Sequence, residues 1–131
     1  MKNSYLLKAM LLIAGLIIAG IGGAELFTPV GFHATSGIAL GDDINLMNEM
    51  RAPGGALLVL GLLIIAGAFI PVLTFTAIIV ATVLYLSYGF SRVFSIAFDG
   101  MPDAILLQAT ALEIAIGLIC AFSLVRYRLG R

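Results

Sequence analysis

Four ionisable side chains stand within or beside long apolar runs of this sequence: Glu25, Arg51, Arg92 and Glu113. A charge in a bilayer is costly unless paired or wetted, so each of these needs a partner or a task. Glu113 is the deepest. At about 1.5 Å per helical residue it lies about 14 Å beyond Ala104, and Arg92 lies roughly 10 Å nearer the outer surface. A carboxylate and a guanidinium at such depths can do three things: lock two helices, hold a polar head group, or pass a proton. Tyr85 and Tyr88 precede Arg92 at helical spacing and add hydroxyls to the same face. The remaining reactive types are sparse. His33 has no Cys, Asp or Glu at metal-ligand spacing and is expected to be a solvated loop residue; Cys120, the single cysteine, is expected to be a packing residue. The sequence has no HExxH, no histidine cluster and no phosphate loop, and Ser91-Arg92 with Asp99-Gly100 makes no catalytic set. No metal or cofactor is implied.

The elements that must position these groups follow from composition. Of 131 residues, 62% are hydrophobic and 11% charged, with mean hydropathy +1.17. Soluble domains carry about 25% charged residues, so the chain belongs in a membrane. A crossing helix needs about 20 apolar residues. Four stretches meet that need, at about 5–27, 53–70, 72–97 and 104–125. No charge falls between Gly54 and Arg92, and Gly67 with Pro71 divides that run into two spans joined by a tight turn. The expected fold is all-α, a single integral membrane four-helix bundle. Lys2, Lys8 and the apolar run ending at Gly22-Gly23-Ala24 also carry the pattern of a cleavable signal. The run from Ala9 to Ala24 is at the long limit for such a segment, which favours a span.

Lysine and arginine set the orientation. Lys2 and Lys8 flank the first span, and Arg126, Arg128 and Arg131 follow the fourth. The connection 28–52 holds Asp42, Asp43 and Glu49 against Arg51, and the last turn holds Asp99 and Asp103. Both termini are therefore expected in the cytoplasm, with the acidic connections outside, and an inner membrane is the expected location. Net charge is zero and there is no basic patch, which argues against nucleic acid as a partner. The connection 28–52 is long for a bundle. Asp42 or Asp43 can cap a short surface helix running towards Arg51, with Pro53 kinking it or restarting it as the second span.

Small residues place the faces. Ala109, Glu113, Gly117 and Ala121 recur every four residues on span four; Ala81, Tyr85, Tyr88 and Arg92 share a face of span three; Gly15, Ile18, Gly22 and Glu25 share one of span one. All three are expected to turn inward. Either Arg92 and a tyrosine hydroxyl satisfy Glu113, or the acid sits there uncharged.

Two stretches carry a resemblance. Asn48-Glu49-Met50-Arg51-Ala52-Pro53-Gly54-Gly55 leads into span two; Gly89-Phe90-Ser91-Arg92, Phe98-Asp99-Gly100-Met101-Pro102 and Glu113 follow in spans three and four. Together they resemble a bacterial family of small four-span membrane proteins known only as a domain of unknown function. Proline 53 stands where that family's pattern places an aromatic residue. The resemblance implies four helices and puts Arg51, Arg92, Asp99 and Glu113 at motif positions, but it supplies no activity. The architecture is also similar to DoxX-like four-helix membrane proteins, a likeness that carries no function. The expected role is non-enzymatic: binding a lipid, quinone or other small amphiphile, or serving as an accessory subunit of a membrane complex or homo-oligomer. The candidate binding residues are Glu113, Arg92, Arg51, Glu25, Tyr85, Tyr88 and Asp99. A proton or small-solute transporter using Glu113 is the alternative; an enzyme acting on lipids or quinones lacks a partner nucleophile.

Overall fold

The computed structural model describes residues 4–130, so Lys2 and Arg131 lie outside the described residues. The described residues form helices and no strands. Helix α1 spans Tyr5–Phe27, α2 Pro29–Ala34, α3 Ile44–Phe69, α4 Pro71–Asp99 and α5 Ala104–Leu129. The four long ones are each apolar enough to cross a membrane. Large aliphatic and aromatic side chains such as Leu16, Leu62, Val83 and Phe122 stand on the outside. In water such a surface would aggregate; against acyl chains it is the ordinary exterior of a bundle.

Local signals set the helix ends. The Ser4 hydroxyl accepts from the Leu6 and Leu7 amides at 3.1 and 3.3 Å and starts α1. The Asp43 carboxylate accepts from the Asn45 and Leu46 amides at 2.9 and 3.3 Å and starts α3. Each cap fills donors that the first turn leaves open. Ile70 alone separates α3 from α4, and Pro71 takes the first position of α4, where its missing N–H costs nothing. The Thr74 hydroxyl donates to the Gly67 carbonyl at 2.7 Å, binding the two sides of that turn.

The expected break at Pro53 is absent. α3 runs unbroken from Ile44 through Pro53 to Phe69, so the surface piece and the span are one helix. Proline removes one hydrogen bond, to the Glu49 carbonyl, and both residues are exposed near the end of the bundle. A carbonyl open to solvent loses little there, so the helix continues across the gap. The connection 28–52 therefore contains α2 and the first turns of α3.

The helices are arranged as two antiparallel pairs. α1 packs along α3 and α4 along α5, with α3 against α4, while α1 meets α4 and α5 at few points. Glycine permits the closeness of each pair. A Cβ on Gly61 would lie 2.5 Å from the Ala19 amide nitrogen, and one on Gly15 would lie 2.9 Å from the Gly61 carbonyl oxygen. In α5, a Cβ on Gly117 would lie 2.5 Å from the Leu86 side chain. The glycines of the stripes on spans one and four thus fit against α3 and α4 respectively, while Ile18, Glu25, Ala109 and Glu113 of the same stripes face the space between the pairs. Between the pairs, Leu7, Leu11, Ala14, Ile64, Ile78, Ala81 and Cys120 form the core on the side of the termini.

Replacing Gly61 by Val pushes a branched side chain into the α1 backbone and should cost about 1–3 kcal/mol. Gly20→Ala, with nothing within 4 Å of the new methyl, should leave stability unchanged or slightly higher. Unfolding of both variants in mixed micelles with a denaturing detergent gives the comparison.

Candidate functional site

The two pairs do not close on each other at the other end. A cavity of about 450 Å³ opens there, between the C-terminal halves of α1 and α4 and the N-terminal half of α5, with α2 and the residues after it across its mouth. Its walls are Ile17, Ile18, Ile21, Leu57, Leu84 and Leu112, joined by Tyr85, Tyr88 and the rim residues Phe32, Ser36 and Ile38. Four ionisable residues besides the tyrosines line it: Glu25 from α1, His33 from α2, Arg92 from α4 and Glu113 from α5.

Arg92 and Glu113 meet as expected. The guanidinium donates from Nε to Glu113 Oε1 at 2.7 Å and from a terminal nitrogen to Oε2 at 3.4 Å. The two-point grip fixes α5 against α4, in register with the Gly117 contact one turn further along. Fifteen per cent of the Glu113 side chain is exposed and 33% of Arg92, so the pair is anchored in the wall while the arginine still faces the opening. The Arg92 guanidinium carbon lies 6.0 Å from the Tyr88 ring centre, the outer limit of a cation–π contact.

The other expected members divide. The Tyr85 hydroxyl does not reach Glu113; buried to 3% exposure, it donates to the Ala14 carbonyl of α1 at 2.7 Å. Because α1 and α4 touch at few points, a hydroxyl at that contact is drawn to the nearest acceptor, a backbone carbonyl. Tyr88 stays with the group and lies within electrostatic reach of Glu25, Arg92 and Glu113. Arg51 is outside the cavity, exposed, and donates to the Leu26 carbonyl at the end of α1. A cation there complements the negative end of the α1 dipole. Asp99 is also exposed, at the end of α4, where it accepts from the Ser95 hydroxyl at 3.0 Å.

His33 is a correction. It is not a solvated loop residue: α2 carries it inward, its side chain is 16% exposed, and its Nε2 lies 3.6 Å from Glu25 Oε1. That nitrogen is buried and has no hydrogen-bond partner among the described residues. The Phe32 ring stands edge-on to it, centres 5.2 Å apart. The sequence signal for this placement is Pro29, a residue type favoured at the first position of a helix; with it, the turn Thr28-Pro29 reads as the start of α2 folding back over α1. Among the described residues no group of three His, Cys, Asp or Glu could hold a metal ion.

Two helix pairs, a lipid-facing exterior and a mostly apolar cavity with a few ionisable side chains in its lining define a membrane four-helix protein. The chain belongs to the family described as Domain of unknown function (DUF4345), whose model matches residues 6–124. That match takes in Glu25, His33, Arg92 and Glu113 alike. Comparison with the curated proteins and with the solved structures returned no match.

Arg92→Ala strands the Glu113 carboxylate in an apolar wall and should cost about 1–3 kcal/mol, whereas Arg92→Leu with Glu113→Leu should recover most of that loss. A double-mutant cycle on detergent unfolding measures the coupling. Additive single effects would mean that the pair does not hold α4 to α5.

Proposed function

We propose that the protein binds a small amphiphile in the cavity between its helix pairs and performs no chemistry on it. The observation that carries this reading is the make-up of the cavity lining: aliphatic walls on α1, α3, α4 and α5, with Glu25, His33, Tyr88, Arg92 and Glu113 set among them. Its volume falls in the range of about 300–1,000 Å³ usual for small-molecule sites, and such sites combine apolar walls with a few placed polar groups. An aliphatic or isoprenoid body fits the walls. A head group would sit beside Glu25, Tyr88 and the open side of Arg92.

The proton-relay reading of Glu113 has less behind it. A relay must release and regain its proton, and the two-point hold of Arg92 on Glu113 opposes that cycle. Ala109 lines the cavity on α5, so Ala109→Phe should fill it while keeping every ionisable residue of the lining. Native mass spectrometry of the protein released from nanodiscs, after exposure to dodecanol, should give a one-to-one adduct with the wild type and about tenfold less with Ala109→Phe. An equal adduct on both proteins, or none on the wild type, would overturn the reading.

The charge asymmetry of the chain further supports cytoplasmic termini, in an inner membrane, with the cavity towards the outer face. In oriented cells, a cysteine introduced at Ser36 in a Cys120→Ala background should react with a membrane-impermeant maleimide. Protection of that position, with labelling of a cysteine placed after Arg128, would invert the topology.

A further inference from the structure

The cavity wall does not balance its own charge. Arg92 is committed to Glu113 through both carboxylate oxygens. Glu25 is left with His33, whose ring nitrogen at 3.6 Å is beyond hydrogen-bond length. The lining thus sets two carboxylates against one guanidinium and one imidazole, and the guanidinium is taken. The surplus sits on Glu25, whose side chain is 13% exposed, among isoleucines and leucines. A carboxylate in such surroundings without a counter-ion is strongly unfavourable, and a cation placed beside it relieves the cost.

We propose that the amphiphile taken by this cavity is cationic, an apolar chain bearing an ammonium group that pairs with Glu25. This rests on the amphiphile-binding reading above and specifies its head group. The alternatives fit the wall less well. An anionic head would add a third negative charge beside two carboxylates and could attract only a guanidinium already bound to one of them. A neutral hydroxyl would give Glu25 a hydrogen bond but leave the charge uncancelled. An ammonium supplies three donors and the missing charge: one donor for Glu25, with the Tyr88 phenol oxygen on the same rim as a second acceptor. The Tyr88 ring lines the same cavity as Glu25 and gives a cation an aromatic neighbour. The apolar chain then follows the wall formed by Ile17, Ile21 and Leu84.

The experiment compares dodecylammonium with dodecanol, chains of equal length that differ in the charge of the head. Both are titrated into nanodiscs of zwitterionic lipid at about pH 8, above the range in which imidazole is protonated. One-to-one adducts are counted by native mass spectrometry, with Ala109→Phe as the reference for adventitious binding. On the wild type the amine should bind about tenfold or more tightly than the alcohol. Glu25→Gln keeps the side-chain shape and should remove the advantage of the amine over the alcohol, bringing the two probes to comparable binding. Equal binding of the two probes to the wild type, or a preference for the amine that survives in Glu25→Gln, would overturn this proposal and leave the amphiphile reading standing. Failure of both probes to bind the wild type would remove the two together.

Discussion

Backbone-to-backbone contact between α1 and α3 is the constraint on which the rest of this structure depends. Lipid chains are as apolar as leucine, so burial of greasy side chains cannot by itself hold two helices together in a membrane; close packing can. Gly15, Gly22, Gly54 and Gly61 remove the side chains that would keep the two backbones apart. α4 and α5 make a second close pair through Gly89 and Gly117. Two pairs, each tight within itself, behave as two plates. Towards the end with the termini Leu7, Leu11, Ile64 and Ile78, with the fully buried Cys120, pack between them. At the other end they stand apart, and the cavity is the space left over.

The polar groups sit where that geometry leaves them. Arg92 and Glu113 face each other across the α4–α5 contact, where two parallel hydrogen bonds offset much of the cost of keeping charges away from water. Tyr85 faces the seam between the plates and uses its hydroxyl to tie α4 to the Ala14 carbonyl of α1. The hydroxyls of Thr82 and Thr110 bond to carbonyls four residues back in their own helices, at 2.7 and 2.8 Å. Buried polarity is thus mostly spent on internal bonds. Glu25 and His33 differ: they reach the cavity from elements with no close packing partner across it, and neither finds a full complement inside the protein. That contrast separates the part of the polar group that builds the bundle from the part that is open to a ligand.

α2 lies across part of the cavity's mouth. It is only 6 residues long and begins at once after α1, with Thr28 as the joint. So short a helix cannot bury a stripe of its own and depends on what lies under it. It lies against the ends of α1 and α3, bringing Phe32 and His33 to the mouth of the cavity. The Arg51 guanidinium on the Leu26 carbonyl braces the same corner from outside.

The sequence by itself determined the four spans, their all-helical class and the turn at Pro71, because hydrophobic length, proline and the need to satisfy every backbone polar group in lipid leave few alternatives. For Glu113 it left two arrangements open, a pairing with Arg92 or an uncharged acid, and the structure has the pairing. The faces of the other residues were decided only by the tertiary structure. Glycine spacing says that a helix has a close neighbour but not which one, and only the tertiary structure shows α3 taking the glycines of span one and α4 that of span four. Tyr85 and Tyr88 share a helical face and both line the cavity, yet the Tyr85 hydroxyl bonds to a carbonyl of α1, because the two depths meet different parts of that helix. Pro53 reads as a break and is carried within α3, because the carbonyl it deprives is exposed. His33, the sixth residue of the connection 28–52, has no periodicity to betray its direction. Its place beside Glu25 depends on how α2 folds back over α1, a contact between segments of which Pro29 marks only the start.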